Sequence, residues 1–205
     1  MDFAREAAEL LPYIQNHRRH IHQYPELSFR EKETTEYIQK ELESMGIEVI
    51  RFSDYYGLIG VLKGGRAGKT VLLRADIDAL GIREENELDF CSVHAGVMHA
   101  CGHDCHSAML LGAAKILSAY RDALKGTVKF LFQSAEESGH GANYYVDHGC
   151  LDGVDAAMAI HMMNEIPEGT FSIEAGPRMA SCTDFTLTVH GVATHGSVSY
   201  THLTL

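Results

Sequence analysis

The pattern of apolar and polar positions predicts alternating helices and strands. Apolar side chains recur at helical spacing over 4–22 and again over 31–45, where Gly46 is a natural stop. The short runs IEVI and LIGVLK and the longer run TVLLRAD are typical of strands. Between the last two runs, the glycine-rich GGRAGK lacks the ending of a phosphate-binding loop, so we predict a hairpin turn there.

The pattern continues with a long irregular stretch and further regular elements. Residues 77–100 show no periodicity, and long irregular connections inside a compact domain are often functional. A helix is predicted from Cys105 to Tyr120. TVKFLFQ is a nearly continuous apolar strand of the kind that is buried on both faces, and DAAMAIHM has the same character. Near residue 180 the segment DFTLTVHG alternates as a half-exposed strand does, so we place a domain boundary there.

This order of elements predicts an α/β fold. Helices alternating with strands favour a three-layer sandwich around a mainly parallel mixed sheet. Residues 1–180 would form one domain, and a second domain would begin after residue 180. A length of 205 residues suits one domain with its own core, or one domain and part of another.

Charge and composition narrow the class of protein. The chain has 17 Lys and Arg against 28 Asp and Glu, a net charge of −11 that disfavours a nucleic-acid partner. No apolar run approaches the roughly 18 residues of a membrane span, and the N-terminus lacks the pattern of a signal peptide. We therefore expect a cytoplasmic protein without a membrane partner, in which the five cysteines are reduced thiols.

Three segments near predicted strand ends carry residues that bind metals. Cys101 and His103 lie two apart in MHACGHDCH, so an extended loop would point both side chains the same way. Glu136 and Glu137 point in different directions, so one can hold a metal while the other takes a proton from water. His161 ends an apolar strand, where a buried imidazole needs a partner. Sites in α/β sheets usually lie at the carboxyl ends of strands.

Each of these features has a structural alternative. Cys101 and His103 could belong to a polar loop, the glutamate pair to a solvated turn, and His161 to the hydrogen-bonded core. A structural zinc site needs a second pair of ligands beside Cys101 and Cys105, and the sequence has none. A thioredoxin-like redox motif needs two residues between its cysteines, whereas three separate these. The structural zinc site and the redox pair are therefore rejected.

Several motifs together resemble one enzyme family. The segments RRHIHQYPELSFREKETTEYI, LLRADIDAL, MHACGHDCHSAMLLGAAKIL, FLFQSAEESGHGA and AIHM are similar to the di-metal N-acyl-amino-acid amidohydrolases, and the resemblance covers residues 14–198. This group includes hippurate hydrolases, N-acetyl-diaminopimelate deacetylases and auxin-conjugate hydrolases, within the aminoacylase and glutamate-carboxypeptidase metallopeptidases. The resemblance implies a zinc-exopeptidase-like fold and metal-dependent hydrolysis of the amide between an acyl group and an amino acid.

The resemblance also assigns roles to residues. The ligands of two divalent ions (Mn, Zn, Co or Ni) fall on Cys101, His103, Glu137 and His161. Glu136 matches the general base, and Asp78 the aspartate that supports the site, with Asp76 as second choice. His195, in TVHGVATHGSVS, matches a histidine that reaches a substrate carboxylate or oxyanion.

Other polar residues near these motifs match no ligand position. We expect structural roles for His99, Cys105 and His106, with Asp104 and His106 orienting the loop and the helix start. We expect positions on a helix surface for His17, His20 and His22.

The chain departs from the resemblance near its end. The relatives are nearly twice as long, and an α/β lid that also forms their homodimer interrupts the catalytic domain before a final histidine ligand. Residues 181–198 would begin that lid with its first strand, and position 199 is Ser where a proline is expected. We therefore expect a truncated chain with a non-native tail over 199–205, in which His202 is not the missing ligand. The alternative is a metal-binding but catalytically inactive protein.

Overall fold

The structure is a computed structural model that describes residues 2–181, 183, 185–191 and 195. The helices of the described residues are α1 (Phe3–Glu9), α2 (Leu11–Gln23), α3 (Lys32–Ser44), α4 (His103–Ala119) and α5 (Gly141–Asp147). The strands are β1 (Glu48–Arg51), β2 (Leu58–Lys63), β3 (Arg66–Asp76), β4 (Lys125–Gln133) and β5 (Ala156–Ala159). The predicted α/β class is confirmed.

The strands form one mixed sheet in the order β1-β2-β4-β3-β5. Strand β3 pairs in parallel with β4 and with β5. The pairs β1–β2 and β2–β4 are antiparallel. Strands β3 and β4 therefore run in the same direction and end next to each other, with Asp76 opposite Gln133.

Helices lie on both faces of the sheet, which confirms the three-layer arrangement. Alternate residues of β4 point to opposite faces, as the period of a strand requires. Phe130 and Phe132 belong to a core that also contains Leu42 of α3 and Leu111 of α4. On the other face, Leu131 packs in a smaller core with Tyr145 of α5. TVKFLFQ is thus buried on both faces at its carboxyl end, as its apolar run predicts.

The single helix predicted over 4–22 is two helices, α1 and α2. The first ends at Glu9, and Pro12 follows within the first turn of the second. Proline has no N–H to continue the hydrogen-bond ladder and its ring crowds the preceding turn, so it favours a new helix start. The helix predicted over 31–45 is confirmed as α3.

The hairpin predicted at GGRAGK is wrong. Strand β3 already begins at Arg66, and β4 lies between β2 and β3 in the sheet. The glycines allow two segments of the chain to lie close together: a Cβ on Gly64 would lie 2.6 Å from the carbonyl oxygen of Leu124. The Gly64 N–H donates to the carbonyl of Gly126 across this contact (2.8 Å). The glycine-rich composition that resembled a turn therefore marks a place where two segments of the same chain pass close to each other.

Strand β5 differs from the buried strand that DAAMAIHM predicts. It is the last strand after β3 in the sheet, and all four of its residues are exposed. Met158 is 57% exposed and the following Ile160 is 50% exposed. Within the described ranges no strand pairs with its outer edge. Apolar composition alone does not show which side of a sheet other elements cover.

The irregular stretch over 77–100 is confirmed. It contains no helix and is tied to the body by isolated bridges, Leu27 with Ala79 and Leu80 with Met98. Within the described part of the chain, no helix is long and apolar enough to cross a membrane.

The chain divides into two compact units, 1–170 and 171–205. The described residues of 171–191 contain no assigned strand, so the strand predicted at DFTLTVHG is not formed there. Its apolar side chains are exposed, Phe185 by 88% and Leu187 by 81%, and a strand forms only where another strand pairs with it. The domain boundary near 180 stays a prediction. Cys182, Ser199, His202 and the tail over 199–205 lie outside the described residues.

Candidate metal centre

The site residues of the first unit are carried by segments that follow strand ends. Because β3 and β4 end side by side, Asp76 and the Glu136–Ser138 turn leave the sheet at the same edge. The loop before α4 brings Cys101 and His103 to this edge. Gly102 between them has φ +103°, a conformation that favours glycine, and a Cβ there would approach the Met162 Cβ at 3.2 Å.

His103 is the residue that all candidate ligand groups share. Three groups each place their ligand atoms within 4.8 Å of one another: Cys101–His103–His161, Asp76–His103–His106 and His103–Glu136–Glu137. His103 is 1% exposed, which makes an unpaired polar atom on its ring costly. Its Nδ1 lies 2.9 Å from the Asp78 carbonyl oxygen and 3.1 Å from Asp78 Oδ1. Nδ1 therefore donates to Asp78.

The opposite ring nitrogen of His103, Nε2, is buried and has no hydrogen-bond partner among the described residues. It lies 3.7 Å from Glu137 Oε1, 3.8 Å from Glu136 Oε2 and 3.7 Å from Asp76 Oδ1. A buried lone pair facing three carboxylates is the donor set of a cation site, and Asp78 fixes the ring orientation as an outer carboxylate does for metal-binding histidines. The residues present therefore fit a divalent ion.

The charges around His103 also favour a cation. Burial opposes protonation of its ring, but the hydrogen bond to Asp78 and the charge of Asp76 outweigh it and raise the pKa. Burial and the neighbouring Glu137 raise the pKa of the Cys101 thiol to about 12. A thiol in these surroundings becomes a thiolate only when positive charge lies beside it.

Cys101 and His161 are the two residues that join His103 in one of the candidate ligand groups. The Cys101 sulfur lies 3.5 Å from Nε2 of His161. Nδ1 of His161 donates to the Met162 carbonyl at 2.6 Å, so Nε2 keeps its lone pair on the side of Cys101. A thiol and an imidazole nitrogen thus face each other within reach of His103.

The glutamate pair follows a strained residue. Ala135 has φ +56°, and the turn Glu136–Ser138 begins immediately after it. The Glu137 N–H donates to Asp78 Oδ2 at 3.0 Å, so Asp78 contacts both the histidine and the glutamate turn. Burial and the charge of Asp76 raise the pKa of Glu136, which makes its carboxylate a stronger base.

The two candidate aspartates occupy different places. Asp78 contacts His103 Nδ1, whereas Asp76 accepts from His106 Nδ1 at 2.5 Å and pairs with Arg74 at 2.8 Å. Burial opposes ionisation of Asp76, but His106 and Arg74 lower its pKa to about 2. The other nitrogen of His106, Nε2, accepts the Met162 N–H at 2.9 Å, so both of its ring nitrogens are used within the protein.

The helix-surface positions expected for His17 and His22 are wrong. His22 is 2% exposed, and its ring nitrogens bond to Asp104 Oδ2 (2.8 Å) and Glu84 Oε1 (3.0 Å). His17 is buried against the Tyr37 hydroxyl, whereas His20 is exposed as expected. Glu84 comes from the irregular stretch, and no local pattern connected it with a helix 62 residues earlier.

Glu31 is fully buried beside the glutamate turn, and sequence reasoning missed it because an isolated glutamate before a helix is an ordinary feature. His195 is exposed and belongs to the second unit, 171–205. Its predicted contact with substrate therefore stays a prediction.

Comparison with known proteins identifies the class of enzyme. Residues 72–202 match the model of peptidase family M20/M25/M40, which is more than half of the chain. The chain belongs to this family.

Individual relatives agree with that assignment. The chain is 44% identical over 183 residues to an N-acetyl-L-cysteine deacetylase of Bacillus subtilis, covering 89% of this chain and 44% of the relative. It is 42% identical over 184 residues to an N-acyl-L-amino acid amidohydrolase of Geobacillus stearothermophilus, covering 89% of this chain and half of the relative (50%). The chain spans about half the length of the curated relatives it matches.

A solved structure shows the same fold. The YXEP protein of Bacillus subtilis, described as a dinuclear metal binding peptidase from the M20 family, superposes with a TM-score of 0.78 at 44% identity. The match covers 81% of this chain and 47% of the other. The arrangement of helices around the sheet is therefore that of an M20 peptidase.

Proposed function

We propose that the full-length protein hydrolyses the amide bond of N-acyl amino acids with two divalent metal ions. The buried, unpaired Nε2 of His103, facing Glu136 and Glu137, is the observation that carries this proposal. The family membership and the amidohydrolase and deacetylase names of the relatives support the same chemistry.

The proposed metal ligands lie close to one another around His103. Cys101, His103, Glu137 and His161 would hold the ions. Bound divalent ions polarise a carbonyl and lower the pKa of water, and zinc, manganese, cobalt and nickel all suit this donor set. Asp78 holds His103 with Nε2 turned to the site, and through the Glu137 N–H it holds the glutamate turn.

Glu136 acts as the general base. It is the member of the pair with the more exposed side chain (39% against 23%), and its raised pKa suits proton transfer. Its carboxylate takes a proton from the attacking water and returns it to the departing amine. His195 would contact the substrate carboxylate or the oxyanion. The full-length protein would form a homodimer through the lid. It would be located in the cytoplasm.

A second candidate applies to these 205 residues alone: a metal-binding protein without turnover. The apolar side chains exposed along and after β5 favour it, since such surfaces drive association. They are Met158, Ile160, Met162 and Met163. We expect this chain alone to be poorly soluble, to hold fewer than two ions and to show no amidase activity.

Metal analysis and a hydrolysis screen test both candidates. The full-length protein is expected to hold two ions and to cleave at least one of the N-acetyl, N-benzoyl or indole-acetyl amino acids. The 205-residue chain, measured beside it, is expected to cleave none. A full-length protein with bound metal and no hydrolysis of any N-acyl amino acid would leave only the metal-binding candidate.

A further inference from the structure

Glu31 is a fully buried carboxylate that the proposed chemistry does not use. It immediately precedes α3 and is 0% exposed. Its Oε2 accepts from the Ser134 hydroxyl at 2.9 Å, and its Oε1 accepts from the Ala135 N–H at 2.8 Å. A carboxylate is costly to bury unless hydrogen bonds compensate it. Both bonds go to the two residues between β4 and the glutamate pair.

Ala135 is held in an unfavourable backbone conformation. Its φ of +56° and ψ of +39° lie in the left-handed region, where a residue with a Cβ costs roughly 1–2 kcal/mol. Among the described residues other than glycine, only Phe29 shares a positive φ. Such a conformation persists where surrounding contacts over-determine it. The bond from the Ala135 N–H to Glu31 is a contact of that kind.

The conformation of Ala135 decides where the glutamate pair points. The chain leaves β4 and enters the turn Glu136–Ser138 directly at this residue. From there the Glu136 and Glu137 carboxylates come to 3.8 and 3.7 Å from His103 Nε2. Rotation of Ala135 to the ordinary β or right-handed helical region would redirect both side chains.

Glu31 is itself held firmly. Its carbonyl accepts the Thr35 N–H at 3.0 Å and the Thr35 hydroxyl, and Thr35 Oγ1 in turn accepts the Gly57 N–H at 2.9 Å. The helix N-terminus beside it favours a negative charge. Tyr145 accepts the Ser134 N–H at 2.9 Å, so Ser134 is also held by α5. The side chain of Ser134 and the N–H of Ala135 both rely on Glu31.

We propose that Glu31 is a positioning residue: its carboxylate holds Ala135 in the left-handed conformation and so directs Glu136 and Glu137 toward His103. This inference rests on the proposed function, since it places Glu31 behind that metal centre. It predicts that a change at Glu31 acts on the glutamate pair through the backbone of one residue.

Replacement of Glu31 by glutamine and replacement of Ala135 by glycine test this chain of effects. The amide of Glu31→Gln has the same shape but no charge and one acceptor oxygen, so its oxygen cannot accept from both the Ser134 hydroxyl and the Ala135 N–H. We expect the affinity of the full-length protein for Zn²⁺, titrated by calorimetry, to fall about 10–100-fold, as for other residues that orient ligands. Adding Ala135→Gly should restore part of that affinity, because glycine adopts the left-handed region without a Cβ.

Glu26→Gln is the matched control. Glu26 accepts the N–H groups of Glu33 (3.2 Å) and Thr34 (2.8 Å) at the start of the same helix, and it contacts neither Ser134 nor Ala135. We expect its Zn²⁺ affinity to stay within about twofold of the unmodified chain, a shift below the loss expected for an orienting residue. An equal loss in both variants, or no restoration by Ala135→Gly, would mean that Glu31 only stabilises α3.

A crystal structure of the Glu31→Gln variant separates this inference from the proposed function. We expect Ala135 to leave the left-handed region, or the glutamate carboxylates to move away from His103 Nε2. If the unmodified chain binds no Zn²⁺, the proposed metal centre fails, and the displacement in the variant still decides the positioning role. An unmoved Ala135 and glutamate pair in the variant would overturn the inference whatever the metal result.

Discussion

The two sides of the candidate metal centre differ in how much protein surrounds them. We call one side the buried half; its buried residues are Asp76, Asp78 and His103, and the more exposed Glu136 and Glu137 lie at its rim. We call the other side the exposed half; it consists of β5, His161 and Met162. His103 is 1% exposed and is oriented by Asp78, whereas His161 follows an edge strand whose residues are all exposed.

This difference shows what fixes a ligand in place. In the buried half, one aspartate contacts both a histidine and the glutamate turn, and the adjoining elements β3, β4 and α4 carry residues of the core. In the exposed half, the His161 ring bonds to a neighbouring backbone carbonyl and to the Cys101 thiol. Segments with few buried contacts open at lower free energy. The buried half should therefore be preformed and the exposed half more adjustable.

The largest effect is expected where the buried half performs the chemistry. In the full-length protein, Glu136→Gln should keep the bound metal while kcat falls about 10²–10⁴-fold, the usual contribution of a general base. Glu137→Gln should instead lower the metal content, because it removes a ligand. Steady-state kinetics and metal analysis of both variants measure this. If Glu136→Gln loses metal while Glu137→Gln retains it, the two roles are reversed.

The second effect compares the stability of the elements that carry the two halves, α4 with His103 and β5 before His161. Leu111 of α4 is 0% exposed, and Leu111→Ala should lower the free energy of unfolding by about 2–5 kcal/mol, as for other buried leucines. Met158 of β5 is 57% exposed, and Met158→Ala should change it by no more than about 0.5 kcal/mol. Urea unfolding of both variants gives the two values. Similar losses would show that β5 is packed as firmly as α4.

The third effect concerns the residue that orients the buried half. Asp78→Asn leaves one acceptor oxygen for three donors, the His103 ring, the Glu137 N–H and the Ser28 hydroxyl. We expect Zn²⁺ affinity to fall about 10–100-fold, as for other carboxylates that orient metal-binding histidines. Asp89→Asn is the control, since Asp89 is exposed in the irregular stretch. Unchanged Zn²⁺ affinity in Asp78→Asn would remove that residue from the site.

The smallest effect is a pH dependence of stability near the buried half. The hydrogen bond to Asp104 outweighs burial and, with Glu84, raises the pKa of His22 above its ordinary 6.5. Hydrogen bonds and the charge of His22 outweigh burial and lower the pKa of Glu84 to about 2. A histidine whose pKa is raised by folding stabilises the fold fully below pH 6.5. This stabilisation is lost as the pH rises through the pKa of the folded state. A glutamate whose pKa is lowered by folding stabilises the fold above pH 4.5. This stabilisation is lost as the pH falls toward 2.

Melting temperatures measured across pH 5–9 test the sign of this dependence. The decline above about pH 6.5 should be smaller in His22→Gln than in the unmodified chain. His20→Gln on the same helix is the control: partial burial lowers the pKa of His20, so its contribution is lost as the pH falls below 6.5. An unchanged decline above pH 6.5 in His22→Gln would show that this histidine is neutral in the fold.

Local patterns were sufficient for most elements and for the residue types of the site. Helices α3 and α4, the apolar strand β4 and the irregular stretch follow from periodicity within short windows. The segment MHACGHDCH and the glutamate pair indicated metal chemistry because ligand preference depends on the side chain itself. The structure brings Cys101, His103, Glu136, Glu137 and His161 into overlapping groups of candidate ligands.

Contacts between distant residues were decided only by the tertiary structure. Glu31 bonds to Ala135 across 104 residues, and His22 bonds to Asp104 across 82. The insertion of β4 between β2 and β3 turned a predicted hairpin into a crossing of chains, and the edge position left β5 exposed. By itself the sequence determined which side chains can do chemistry, because that depends on residue type and close spacing. The fold decided which of them are buried, paired and held in place, because those properties depend on neighbours that no local window contains.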